Sequence, residues 1–168
     1  LYVILSPYDT TRVELDFLYK VFRRLAQEET VDRIRVVDTV GAIHPDGMNY
    51  LVTQIKQNYN FELEVHCHDD FGLATANTIA ALAAGADAAS VTMNGIGERS
   101  GNTALEEVAV ALEVLYDAKT NIKLNKLREI SKKIEKISGV SLQKHKPIVG
   151  DNSFRHESGM VVAGLLEE

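Results

Sequence analysis

At 168 residues, 45% of them hydrophobic and 25% charged, the chain has the balance of a globular domain with a sizeable core. Its net charge of −6 argues against a nucleic-acid partner, because phosphate recognition calls for a basic surface. No apolar run reaches the roughly 18 residues of a membrane span, and no secretory leader is expected at its start.

Leu1–Leu5 is a short apolar run, read as a strand, that breaks at Ser6-Pro7. Thr10 or Thr11 is then placed to cap a helix over about Val13–Glu28, with Leu15, Leu18, Val21, Phe22 and Leu25 on one side. Ile34–Val37 predicts a second strand, which leads through Asp38-Thr39-Val40-Gly41 to a helix from Pro45, where proline suits the first turn. A third strand, Phe61–His66, feeds the Ala-rich helix Leu73–Ala84, which Gly85 ends. Asp87–Val91 is the fourth, followed by a loop to Asn102 and a helix over about Thr103–Tyr116. Strand starts near 1, 34, 61 and 87 recur at about the length of a βα unit, so four units predict a parallel sheet with helices outside it. Both an open doubly wound sheet and a barrel accommodate this; a complete eight-unit barrel takes about 250 residues, so only half of one would be present. After Asp117 the pattern changes. Lys123–Ser138 is an amphipathic helix with Leu124, Leu127, Ile130, Ile134 and Ile137 on one stripe and a solvated Lys-rich face opposite. Gly139 ends it, and Val140–Glu168 reads as loop with at most one short helix.

Chemistry concentrates at the strand ends. In Glu64-Val-His-Cys-His-Asp-Asp70, residues i and i+2 of a strand share a face, so His66 and His68 point the same way and Cys67 the other. Two imidazoles side by side at the end of a parallel strand form half of a divalent-cation site; two histidines hydrogen-bonded in a loop are the alternative. Cys67, the single cysteine, excludes a disulfide framework, fits a reducing cytoplasm and reads as a packed thiol. Ser6–Arg12 reads equally as a helix start, with Arg12 paired nearby, or as a substrate contact through Tyr8 and Arg12. At Asp38-Thr39 a hydroxyl for a substrate carboxylate competes with a turn stabilised by Asp38. Asn94–Asn102 holds Gly95, Gly97 and Gly101, which let the backbone approach a ligand closely, with Glu98, Arg99 and Asn102 supplying charge and donors. The spacing fails the dinucleotide fingerprint, and no phosphate loop is present.

The string HCHDDFGLATANTIAALAAGAD followed by NGIGERSGNTALEEV, with DTVG before it and NSFRHESGM after it, resembles the metal-dependent acyltransferase–lyase family of 2-isopropylmalate, homocitrate and citramalate synthases. The likeness covers nearly all of Ser6–Leu166. It implies the second half of a (β/α)8 barrel over residues 1–117 and the start of a helical subdomain over 118–168. It also implies a transferase of amino-acid biosynthesis, such as leucine biosynthesis, condensing acetyl-CoA with a 2-oxo acid in a Claisen-type reaction followed by thioester hydrolysis. By the same resemblance, His66 and His68 are metal ligands, approached by Asn102. Two imidazoles with oxygen ligands suit Zn, Mn or Co, and Mg less well. Thr39 holds the 2-oxo acid carboxylate, and Gly95, Gly97, Glu98 and Arg99 form a mobile loop over the acyl donor. Glu98, Arg99, His156 and Glu157 are then the catalytic candidates, the last two in a segment that reaches the active site of a partner subunit in a homodimer.

Three departures stand out. The family's third protein ligand, an aspartate in its first strand, has no counterpart here. Tyr8 replaces a substrate-contacting glutamate. Val161 replaces a histidine implicated in acid–base work. A carbon–carbon lyase on the same scaffold is the main alternative, although lyases of the group carry a cysteine in the glycine loop, and Thr92–Asn102 has none. A catalytically incomplete piece is the other: half a barrel is expected to leave two open sheet edges and a large apolar face, and to be inactive in isolation.

Overall fold

Alternation within the strands decides how the sheet is built. The computed structural model describes residues 1–28 and 30–166, apart from the side chains of 161, 163, 165 and 166. Two compact units divide the chain, Leu1–Thr120 and Asn121–Glu168.

In the first unit, strands β1 (Ile4–Leu5), β2 (Arg33–Asp38), β3 (Glu62–Cys67) and β4 (Ala88–Ser90) form one parallel sheet in the order β1-β2-β3-β4. Helices α1 (Leu15–Glu28), α2 (Pro45–Asn58) and α3 (Ala74–Ala83) make the crossovers, and α4 (Leu105–Leu115) follows β4. Right-handed crossovers between strands laid down in unreversed order put successive helices on one face of the sheet. Ile34, Val36, Leu63, Val65 and Cys67 are buried on that face with Leu18 and Phe22 of α1, Met48, Val52 and Ile55 of α2, and Ala74 and Ala81 of α3. Phe22 meets Tyr59 and Phe61 edge-on, at centroid distances of 5.9 and 6.4 Å. His44 caps α2 by accepting from the Gly47 N–H through Nδ1 at 3.3 Å, and Pro45 starts its first turn.

The opposite sheet face is not the apolar surface expected. The alternating positions there are Arg33, Arg35 and Val37 on β2 against Glu62, Glu64 and His66 on β3. Glu64 lies between two guanidiniums, 3.1 Å from Arg33 Nη1 and 2.5 Å from Arg35 Nε, while Arg33 Nη2 is 2.7 Å from Glu62. Charges facing one another across neighbouring strands satisfy that layer without aliphatic packing.

The first strand end also differs. Thr10–Arg12 is a separate 3-10 turn rather than a cap for α1. Thr10 Oγ1 donates to the Pro7 carbonyl and accepts from the Val37 N–H, and Thr11 Oγ1 donates to Asp38 Oδ1 at 2.8 Å. The hydroxyls tie the loop to β2 because that strand's terminal N–H and carboxylate need partners more than the exposed helix start does.

In the second unit a 3-10 turn, Leu124–Lys126, leads into α5 (Leu127–Ser138), which Gly139 ends in the left-handed region at φ 72°. Lys132 and Arg128 of α5 reach Asp151 in the loop that follows, and α6 (Gly159–Leu166) closes the chain. Ile130 and Ile137 of the predicted apolar stripe remain exposed, whereas Leu127 is buried. Among the described residues no helix is long and apolar enough to cross a membrane.

Candidate metal centre

His66 sits near the end of β3, paired in register with Val37 on one side and Ser90 on the other, while His68 forms an isolated antiparallel bridge with Asn102. Their Nε2 atoms lie 3.3 Å apart, with the rings inclined at 77°. Two nitrogens bound to one tetrahedral ion at ~2.1 Å stand about 3.4 Å from each other, so the pair already has the span of two ligands on one cation. Each histidine needs its second ring nitrogen held for that role. Ser90 Oγ is 3.1 Å from His66 Nδ1. Burial first, and the neighbouring His68 second, hold His66 below the ordinary imidazole range, which favours the neutral, lone-pair-bearing form a metal requires.

His68 Nδ1, Asn102 Oδ1 and Thr92 Oγ1 are buried without hydrogen-bond partners. A cation or a polar ligand satisfies the two oxygens at low cost, whereas one bound to His68 Nε2 cannot reach Nδ1 of the same ring; the paired Nε2 atoms and the two oxygens are the donors that fit a divalent metal. No group of three His, Cys, Asp or Glu side chains arranged for a metal occurs among the described residues. Cys67 is fully buried, and burial pushes its thiol up to about 12.

The glycine loop folds against this pair. Met93–Gly95 is a 3-10 turn in which Asn94 adopts φ 63°, and the fully buried Glu106, in the first turn of α4, accepts from the Asn94 N–H at 3.0 Å. A Cβ at Gly97 would stand 2.2 Å from Asn102 Oδ1, so a side chain there would displace that asparagine. Gly101 adopts φ 99° with the Gly95 carbonyl oxygen 2.2 Å from where a Cβ would be, so only glycine fits. Arg99 donates from Nε to Asp70 Oδ1 at 2.7 Å and from Nη2 to the Thr39 carbonyl at 2.6 Å. Glu98 is exposed, 3.7 Å from Arg99 Nη1.

The remaining predicted residues are dispersed. Thr39 is buried and its Oγ1 accepts from the Asp9 N–H at 2.8 Å, which leaves the hydroxyl proton to donate. Asp38 accepts from Thr11 and from the Ala42 N–H, a turn-stabilising carboxylate whose pKa burial raises. Tyr8 is exposed, and Arg12 is spent on Asp9 at 2.6 Å. His156 and Glu157 lie exposed in the irregular segment before α6 of the second unit. The side chain of Val161 lies outside the described residues.

Sequence reasoning passed over Ser90, Asp70 and Glu106. A lone hydroxyl within the run Ala86-Asp-Ala-Ala-Ser90 was the available signal for the first, and a carboxylate in the opening turn of a helix for the last. For Asp70 the sequence carries no sign of its partner.

Three comparisons bear on this geometry. The chain is 45% identical to homocitrate synthase AksA of Methanothermobacter thermautotrophicus, over all of this chain and 43% of that protein. It is 47% identical to 2-isopropylmalate synthase of Methanocaldococcus jannaschii, over 96% of this chain and 31% of that one. It therefore spans less than half the length of these curated relatives. Among solved structures it is similar to an HMG-CoA lyase from Acinetobacter baumannii in complex with coenzyme A and 3-methylmalate (TM-score 0.74, 20% identity, 92% of this chain and 54% of that chain), a likeness of fold. The HMGL-like family model matches residues 2–134, and on that match, with relatives named as synthases along the whole chain, the protein belongs to the HMGL-like family.

Proposed function

We propose that this chain supplies the metal-bearing half of an acyltransferase that condenses acetyl-CoA with a 2-oxo acid. One observation carries the reading: the two ε nitrogens of His66 and His68 stand 3.3 Å apart at the strand ends, against a glycine loop, in a chain at least 45% identical to two named condensing synthases. A lyase reading rests on likeness to solved HMG-CoA lyases at 20% and 28% identity, below the 45% and 47% shared with the two synthases, and the single cysteine lies buried on the far face of β3.

Residues 1–117 then form four units of a (β/α)8 barrel and residues 118–168 the start of a helical subdomain. Supporting this are the unreversed strand order and a sheet with helices on one face and a charged layer on the other. His66 and His68 would hold the metal, with Asn102 beside them; Zn, Mn or Co suits the donors better than Mg. When bound, the cation supplies Lewis acidity toward the 2-oxo acid's carbonyl. Thr39 directs its free hydroxyl proton at the substrate carboxylate, and Ser90 fixes the tautomer and orientation of His66. Gly95 and Gly97 let the loop backbone approach the acyl donor. Tyr8, which is exposed, and Arg12, once released from Asp9, are the remaining candidate substrate contacts. Glu98, His156 and Glu157 are the remaining catalytic candidates, the latter two across a homodimer in the cytoplasm. Product formation also needs the aspartate ligand that this chain lacks, so the chain by itself is expected to be inactive.

The test is thiol release from acetyl-CoA by the full-length protein with pyruvate, 2-oxoisovalerate and 2-oxoglutarate in turn. Release with one of them, abolished by His66→Ala or His68→Ala, supports the reading. Release with none, alongside cleavage of a 3-hydroxyacyl-CoA, would move the protein to the lyase side.

A further inference from the structure

We propose that Arg99 is a positioning residue, the buckle that fastens the loops after β2, β3 and β4 into one rim around the histidine pair, and that its charge is not offered to substrate. Its guanidinium is already committed. Nε and Nη2 fork onto Asp70 Oδ1 and Oδ2 at 2.7 and 2.9 Å, and Nη2 also donates to the Thr39 carbonyl at 2.6 Å. Thr39 in turn accepts the Asp9 N–H through Oγ1 at 2.8 Å. A continuous chain of hydrogen bonds thereby joins the loops after all four strands.

The fork is the geometry that only an arginine supplies, with two parallel N–H groups for a carboxylate and another for a carbonyl. The backbone agrees. Arg99 adopts φ 53°, and Asn94, Gly95 and Gly101 nearby have φ 63°, 69° and 99°. Non-glycine residues hold such conformations only where their surroundings over-determine them, and the Asp70–Thr39 fork is what does so for Arg99. The same loop carries Gly97 against Asn102 and Asn102 against His68, so releasing the buckle frees the asparagine beside the metal pair. The consequence for turnover rests on the condensation reading; the fastening does not.

The experiment compares Arg99→Asn, Asp70→Asn, the double variant and Arg99→Lys in the full-length protein, by hydrogen exchange of the peptide covering 95–102. Asparagine tolerates the left-handed backbone, so the first variant removes the fork without adding strain. Each single variant is expected to speed exchange roughly fivefold, the scale of one exposed charge-assisted contact, and the double variant no further, since both remove the same link. Arg99→Lys falls between, because one ammonium cannot span both acceptors. The melting temperature should fall by no more than about 4 °C with any of them. In the thiol-release assay, Asp70→Asn should lower kcat as much as Arg99→Asn does. Unchanged exchange in the single variants, additive effects in the double, or an Asp70→Asn enzyme of wild-type kcat beside an impaired Arg99→Asn would overturn the proposal, the last by making Arg99 a substrate contact. A protein that released no thiol would sink the condensation reading while the exchange data still decided the buckle.

Discussion

Two alanine substitutions four residues apart in the glycine loop should have opposite consequences. At Gly101 the backbone has φ 99°, and an added Cβ would lie 2.2 Å from the Gly95 carbonyl oxygen, the acceptor of the Asn102 N–H at 2.9 Å. Neither obstacle can move aside, because one is the residue's own conformation and the other is main chain. A side chain at such φ costs about 1–2 kcal/mol, and losing the Asn102–Gly95 hydrogen bond adds about 1 kcal/mol. Gly101→Ala is therefore expected to cost about 2–3 kcal/mol, or roughly 8–12 °C in melting temperature at about 4 °C per kcal/mol. At Gly97 the Cβ would lie 2.2 Å from Asn102 Oδ1 and 2.6 Å from its Cγ. Those two atoms belong to a side chain whose oxygen has no hydrogen bond to lose, and the one main-chain neighbour, the Asn102 nitrogen at 3.1 Å, has to give by only a few tenths of an ångström. Asn102 rotates away, and the stiffer unfolded chain returns about 0.4–1 kcal/mol. Gly97→Ala should thus melt within about 3 °C of the parent while removing Asn102 from the metal pair. Calorimetry of both variants, alongside cobalt titration followed by absorbance, reads the two effects separately. A Gly97→Ala protein less stable than Gly101→Ala, or one with unaltered cobalt spectrum and affinity, would refute this account of the loop.

Ser90→Ala leaves His66 Nδ1 without its 3.1 Å partner, and metal affinity measured by competition with a chelator should fall about 10–100-fold with little change in melting temperature. Glu64→Ala takes the carboxylate from Arg35 and leaves Arg33 with Glu62 alone; urea unfolding should show a loss of about 1–3 kcal/mol, and Glu64→Gln a smaller one. Phe22→Ala empties the centre of an aromatic trio and should cost about 3–5 kcal/mol in the same assay. Cys67 is fully buried with its thiol raised to about 12, so the folded protein should resist iodoacetamide at pH 8 and react once unfolded. The raised pKa also sets a sign: the unfolded thiol ionises first, so this group's contribution is intact below pH 9 and is lost at about 1.4 kcal/mol per pH unit between there and about 12.

What could be read from the residues was local. Apolar runs punctuated by Pro7, Gly41, Gly85 and Gly139 located the strands and helices to within a few residues, because each element is specified by its own period and its own breakers. The same-side placement of His66 and His68 follows from a period of two and needs no tertiary information. Contacts between distant segments were hidden. Ser90 meets His66 across 24 residues, and Arg99 meets Asp70 and Thr39 across 29 and 60; strand register and loop closure decide those, and neither is written in a single segment. Thr10 and Thr11 mislead for the same reason, since a local capping preference loses to the distant Val37 N–H and Asp38 carboxylate.

One tertiary property did lie in plain sight. Arg33-Ile-Arg-Val and Glu62-Leu-Glu-Val alternate charged and aliphatic residues strictly, whereas the central strands of a doubly wound sheet, covered by helices on both faces, run almost continuously apolar. In register, the two tetrapeptides place arginine opposite glutamate at both steps, Arg33 with Glu62 and Arg35 with Glu64. Such complementarity specifies a face that neither packs on helices nor is left to water alone, for Glu64 is buried and Arg33 largely so. The next polar step along the same face is His66 beside Ser90, so the alternation that sets the charged layer also carries the histidine to the strand end where the glycine loop bridges to His68.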